Sequence, residues 1–260
     1  MRGQEPFVVR YAAVVGYYGP AFSGWQIQPD RATVQETIEA SIGASRGRSR
    51  IPVLAAGRTD AGVHAVGQVI SFVLDDALPP FRLLGAINAH LPDTVRIRKI
   101  AVVPDDFDPR RCAQWREYRY FLWNGRGYLP HMRGLLWLNK APWDDDAVRR
   151  AVSFLAGTHD FRAFCKSGEC PENSRRTVNR ASFRRRGAIG IVTLRANAFL
   201  MNMVRIIIGD LDSIGRGKRS PEWLNDLLRG ASRDSSDATA PPEGLYLWRV
   251  GYNKMFEWIE

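Results

Sequence analysis

The stretch AAGRTDAGVH (55–64) places one carboxylate, Asp60, two residues after a guanidinium, Arg58, and between two glycines, Gly57 and Gly62. It follows an apolar run, so the acid would project from a short loop at a strand end. A carboxylate held this way can serve as nucleophile, general base or metal ligand. The plainer reading is a turn stabilised by its own side chain, because Asp is common in turns. Two later segments offer partners for the chemistry. In NAFLMNMVRIIIG (197–209), Arg205 borders a helical face that Met201, Val204, Ile208 and Leu211 would form. It reads either as an arginine laying its stem along the core or as a guanidinium held beside a carboxylate or phosphate. In REYRYFLWN (116–124), Tyr118 could stack on a base or be a core aromatic with a polar tip.

No metal is expected. His64 follows Asp60 by four residues, but Gly62 argues against a helix there, and His159, Cys165 and Cys170 are spaced wrongly for common zinc modules. No cofactor is expected either: GRGKRS (215–220) does not fit a phosphate-binding loop, and no dinucleotide fingerprint occurs.

The elements that must position these side chains fall into two runs. Residues 7–19 read as a strand ending at glycine. Thr33 and Glu36 form a capping-box pattern opening a helix to about Ser45. Residues 51–57 read as a strand, followed by the Asp60 turn, a strand at 68–74, a helix at 81–91 and a strand at 95–103. That order, βαββαβ, is a ferredoxin-like unit. The segment YYGPAFSGWQIQP (17–29) reads as a tight turn packed by Trp25, structural rather than catalytic. Beyond residue 110 come a strand at 116–124, with Tyr118, Tyr120 and Leu122 on one face, and a helix at 143–157 with acids in its first turn. A hairpin of 177–186 and 188–198 over Gly187 follows, then a helix from Leu200. Ser220-Pro221 opens another helix, and 244–252 is a closing strand. The stretch from Lys166 to Ser174 fits no regular pattern. The expected fold is α+β: two αβ halves with antiparallel sheets, residues 1–110 and 111–260, combining into one central sheet with helices on one side and a ligand cleft between them.

Charge suggests the ligand. The 260 residues carry a net charge of +10, and the 37 basic residues comprise 32 Arg and 5 Lys. Arginine is the better forked donor for phosphate and stacks on bases. Residues 1–110 hold 12 basic and 11 acidic residues against 25 and 16 in the remainder, so the excess sits in the second half. That asymmetry fits a polyanion such as nucleic acid. Three cysteines, an odd and sparse set, suggest a reducing compartment without a disulfide framework. No apolar run approaches a membrane span, and the N-terminus lacks a signal-peptide pattern, so a cytoplasmic protein is expected.

Taken together and in order, these strings resemble the TruA-type tRNA pseudouridine synthases. GWQIQP with VQETIE, AGRTDAGVHAVGQVISF, PDDFDPR, REYRYFLWN, NAFLMNMVRIIIG and PPEGLYL carry the resemblance across nearly the whole chain. It implies an isomerase that turns uridine into pseudouridine at positions 38 to 40 of the tRNA anticodon stem-loop. It further implies one essential aspartate, no cofactor, a homodimer and tRNA as partner. By match within the motifs, Asp60 is that aspartate, Arg58 and Arg205 are its accompanying arginines, and Tyr118 is the active-site tyrosine. The first block departs from the family: Tyr17-Tyr18-Gly19 stands where Tyr-Asp-Gly is usual. Two rivals share parts of this pattern. A non-catalytic tRNA-binding module would have the charge and aromatics without needing Asp60. A carboxylate-pair glycosidase would need a second acid about 5–10 Å from the first, and the matched blocks supply arginines and a tyrosine instead.

Overall fold

The structure is a computed structural model in which residues 8–127, 129–253 and 256–260 are described; Phe7, the first residue of the expected opening strand, lies outside them. The fold is α+β, in two compact units. One comprises the chain to Gln114 together with Leu247–Glu260, the other Trp115–Tyr246. The sequence partition sets its boundary four residues earlier and counts the C-terminal residues with the second half.

In the first unit the order is β1 (Val9–Tyr17), α1 (Val34–Ala44), β2 (Leu54–Ala55), β3 (His64–Leu74), α2 (Pro80–Asn88) and β4 (Val95–Val102). β1 lies antiparallel between β3 and β4. Small and β-branched residues (Ala12, Ala13 and Val15, all fully buried) let it sit at the centre. β2 is only two residues long, pairing Leu54 with Ser71 and Ala55 with Ile70, where the sequence suggested a strand over 51–57. The shortening has a cause. The Glu39 carboxylate of α1 accepts the Val53 N–H at 3.0 Å, and the Glu39 carbonyl accepts that of Ile51 at 3.1 Å. Those donors are therefore spent on the helix rather than on a strand ladder.

The start of α1 also departs from expectation. Thr33 is the N-cap residue, but its side chain makes no capping bond. The first helical amides are taken instead by loop carbonyls: Val34 N–H by Gly24 and Gln35 N–H by Trp25, at 3.2 and 3.0 Å.

The second unit runs β5 (Trp115–Trp123), β6 (Trp137–Leu138), α3 (Asp145–Phe154), β7 (Gly157–Asp160), β8 (Arg175–Arg186), β9 (Ile189–Ala196), α4 (Met203–Gly215) and α5 (Pro221–Leu227). Its sheet order is β5–β9–β8–β7, antiparallel throughout, with β6 added parallel to β5. α3 is capped by Asp144, whose side chain accepts the Asp146 and Ala147 amides, but it stops at Phe154. Gly157, at φ +112°, turns the chain into the short strand β7, where the sequence suggests a helix up to Gly157 and no strand after it.

α4 begins at Met203 because Asn202 adopts a left-handed conformation, φ +60°. Met201 therefore lies outside the helix and is 40% exposed, so it is not part of the apolar face, whereas Val204, Ile208 and Leu211 are buried as expected. The face is also broader than an amphipathic stripe: Met203, Ile206, Ile207 and Ile214 are buried too. The last strand, β10 (Leu245–Gly251), lies next to β3 on the edge that β2 leaves open. Gly67 makes this approach possible, since a Cβ there would lie 2.4 Å from the Trp248 carbonyl oxygen. Among the described residues, no helix is long and apolar enough to cross a membrane.

Candidate active site

Asp60 lies on the loop between β2 and β3, partly exposed, with Arg58 exposed two residues earlier. The loop backbone is pinned at successive points. The Gln68 side-chain amide donates to the Gly57 carbonyl at 2.7 Å, and the Thr59 hydroxyl meets the Tyr17 hydroxyl at 2.8 Å. The Trp25 N–H donates to the Thr59 carbonyl at 3.0 Å, and the Val63 N–H to the Asp60 carbonyl at 3.1 Å. Gly62, at φ +79°, closes the turn in a conformation that suits glycine. Gly57 has neither a positive φ nor any atom within 4 Å of where a Cβ would stand, so of the two bracketing glycines only Gly62 is required by geometry. The result is a carboxylate on a stiff mount, the kind of first-residue fixation that a reacting group needs.

Trp25 is part of that mount, as the sequence suggested. Only 3% exposed, it links the loop to α1: its N–H reaches Thr59 and its carbonyl takes the Gln35 N–H. His64 is a buried anchor. Its Nδ1 accepts the Gly19 N–H at 3.2 Å, and its ring meets that of Tyr18 edge-on at 5.3 Å. Tyr18, the departure in the first block, thus packs against the base of the Asp60 loop. Gly19 must be glycine, because a Cβ would lie 2.4 Å from the Val63 carbonyl group. Gly19→Ala should cost about 1–3 kcal/mol as the two backbones separate. A lower melting temperature together with reduced turnover is the expected result, and an unchanged melting temperature would show the loop less tightly held.

Sequence reasoning did not single out Tyr17, Thr59 or Gln68, and weighed His64 only as a metal ligand. The signal was present: β3 is buried along almost its whole length yet carries polar His64 and Gln68, and buried polar side chains require partners.

In the second unit, Tyr118 is half-buried on β5 and meets Phe199 edge-on, ring centroids 4.9 Å apart. Its strand neighbours Tyr120 and Leu122 are fully buried, so the face that Tyr118 shares turns from core to surface at this residue. On the opposite face, the buried Glu117 carboxylate accepts Arg119 at 3.0 Å and Arg195 at 2.6 Å. Burial alone would push this carboxyl up, but the two guanidinium bonds hold it below the usual carboxylate range. Arg195 also stacks on Trp115, 4.1 Å from the ring centre. This cluster clamps β5 to β9 and so fixes the register of Tyr118. The sequence did not disclose it, because Glu117 and Arg195 meet only through strand pairing.

Arg205, on the first turns of α4, is partly buried. Its Nε donates to the Ala240 carbonyl at 2.9 Å and its Nη1 to Asn202 Oδ1 at 3.3 Å. The guanidinium is oriented by a backbone carbonyl and a side-chain amide oxygen. Arg58 and Asp60 therefore share one loop of the first unit, whereas Tyr118 and Arg205 belong to β5 and α4 of the second.

Among the described residues no group of three or more His, Cys, Asp or Glu is placed to hold a metal. The three cysteines are free thiols, and the irregular stretch after Cys165 is tied at its start by the Lys166 N–H to the Met201 carbonyl at 3.0 Å. Along β8, Arg175, Arg180, Arg184 and Arg186 are exposed, giving the second unit a strand of positive charge.

Comparison with known proteins gives the family. A family model described as tRNA pseudouridine synthase matches residues 13–110 and 151–253, which include Asp60 and Arg205. The chain is 39% identical over 252 residues to tRNA pseudouridine synthase A of Shouchella clausii, covering 94% of each chain. It is 40% identical over 250 residues to the protein of that name from Brevibacillus brevis, covering 94% of this chain and 99% of the relative. Against that of Geobacillus kaustophilus it is 39% identical over 243 residues, covering 94% of each.

Proposed function

This chain belongs to the tRNA pseudouridine synthase family, and from that premise we propose that it isomerises uridine to pseudouridine at positions 38 to 40 of the tRNA anticodon stem-loop, with Asp60 as the attacking group. The reaction breaks the N1–C1′ bond, turns the uracil and joins C5 to C1′. C5 gives up a proton and N1 gains one, so substrate and product are isomers and the conversion needs neither an oxidant nor a group donor. The observation that carries the reading is the Asp60 loop: a partly exposed carboxylate on backbone pinned by Gln68, Tyr17 and Trp25.

Asp60 acts as the ionised form, and a carboxylate oxygen bonded to C1′ of the sugar or C6 of the base would free the uracil to turn. Arg58 and Arg205 supply positive charge that pairs with phosphates flanking the uridine. The target sits in a paired or stacked arm, so it must be everted, at a cost of a few kcal/mol. Contacts to the RNA backbone and to the shape of the stem offset that cost. Tyr118 stacks on the everted base or takes the proton leaving C5. The protein acts in the cytoplasm as a homodimer with tRNA as its partner, a reading that follows from family membership.

The test is tritium release by the purified protein. tRNA carrying 5-tritiated uridine should lose tritium to water, and tRNA in which residues 38 to 40 are cytidines should lose none. Equal release from both would contradict the site assignment.

The exposed arginines of β8 are proposed to contact RNA phosphates. Arg180→Ala with Arg184→Ala should weaken tRNA binding and flatten the plot of log affinity against log salt by roughly 0.7–0.9 per lost contact. An unchanged slope would place the RNA away from this strand.

A further inference from the structure

A segment of the second unit, residues 233–241, crosses α4 and is fastened to it at three successive places. At Gly209 the contact is so close that a Cβ would stand 1.6 Å from the Ala238 carbonyl oxygen, a position only glycine can occupy. One residue on, the fully buried Asp210 carboxyl takes the Ser236 hydroxyl at 2.6 Å and the Asp237 N–H at 2.7 Å. At the other end, the Ala240 N–H donates to the Arg205 carbonyl at 3.0 Å, and the Arg205 Nε returns a bond to the Ala240 carbonyl at 2.9 Å. Part of the segment faces open space: Asp237–Pro241 form one wall of a cavity of about 510 Å³, which Trp137, Asp212 and Lys218 also line. Its placement depends on the bonds to α4, on those from Arg233 to Ser236, Asp237 and Thr239, on the Arg219–Asp237 ion pair at 3.6 Å and on the Tyr120 hydroxyl donating to the Pro241 carbonyl at 2.9 Å.

We propose that Asp210 is a positioning residue for turnover: by latching Ser236 and Asp237 to α4 it sets the Ala240 carbonyl, and through that carbonyl the direction of the Arg205 guanidinium. The inference rests on the reading of Arg205 given above. The role needs two hydrogen bonds, which the carboxyl makes in either ionisation state. Burial pushes the Asp210 carboxyl up to about 6 despite the bonds from Ser236 and Asp237, with Asp237 and Arg233 the nearby charges. A neutral acid keeps both contacts, accepting from Asp237 and donating to the Ser236 oxygen. Asparagine keeps both in the same way, whereas alanine leaves the Asp237 N–H and the Ser236 hydroxyl without their partner.

The experiment measures kcat and KM for tritium release by the full-length protein, with folded fraction checked by circular dichroism. Asp210→Ala should lower kcat about 10- to 100-fold, the loss expected for a misplaced group, with KM changed less than about threefold. Asp210→Asn should recover most of the loss, which a bulk packing defect would not predict. Ser236→Ala, which removes only one hydroxyl, should fall between them and keeps the test usable if Asp210→Ala does not fold. In an Arg205→Ala background, Asp210→Ala should add no further loss, because both act through one guanidinium. Wild-type kcat in both Asp210→Ala and Ser236→Ala, or losses that multiply with that of Arg205→Ala, would overturn the positioning role while leaving the function intact. Wild-type kcat in Arg205→Ala alone would instead remove the reading beneath it.

Discussion

Asp60→Asn should abolish pseudouridine formation, by on the order of 10⁴-fold or more in kcat, the scale seen when a covalent nucleophile is removed. The substitution is nearly isosteric, and the carbonyl of residue 60 keeps its bond from Val63 because that bond belongs to the backbone. The pins at Gly57 and Thr59 come from Gln68, Tyr17 and Trp25, none of which touches the exchanged atoms through those bonds. The loop should therefore stay folded, with tRNA affinity within a few-fold of wild type. A binding module without catalysis would behave differently, since it would show no activity to lose. Substantial tritium release by Asp60→Asn would remove the nucleophile from the account.

Arg205→Ala is the second large effect expected: a fall of roughly 10²-fold in kcat, comparable with deleting one oriented donor from an active site. The stability cost should be small by comparison. The variant loses the Nε bond to Ala240 and the weaker Nη1 bond to Asn202, together about 1–2 kcal/mol. The backbone bond from Ala240 to the Arg205 carbonyl survives. Arg205→Lys should recover little, because an ammonium cannot reproduce a fork held in one plane by fixed acceptors. A collapse in melting temperature with unchanged kcat per folded molecule would make Arg205 a core anchor and nothing more.

What could be read from the sequence, and what could not, divides along a physical line. Features set by neighbours in the chain were legible. The Gly187 hairpin, the acidic first turn of α3 and the alternation of β5 depend on residues a few positions apart. Features set by distant partners were not. The Thr33 pattern predicts a local cap, but the amides it would serve are claimed by carbonyls at Gly24 and Trp25. The strand expected at 51–57 shrinks because Glu39 takes its donors. The apolar periodicity through Met201 runs past the true helix start, which a single left-handed residue, Asn202, decides. The same holds for the candidate site. Asp60, Arg58, Arg205 and Tyr118 stand out by residue type and spacing and take their roles from motif resemblance, while the bonds that hold them, from Gln68, Tyr17, Trp25 and Ala240, are contacts between residues well apart in sequence. Polar residues inside apolar strands, such as His64 and Glu117, were the one local sign that such contacts existed.

The most direct measurement is a map of pseudouridine at residues 38 to 40 in tRNA from cells lacking this chain, complemented either by the wild type or by Asp60→Asn. The account predicts uridine at those residues in the deleted cells, pseudouridine restored by the wild type, and none restored by an Asp60→Asn protein that is made in full amount and still binds tRNA. Modification restored by that variant, or never lost on deletion, would contradict it.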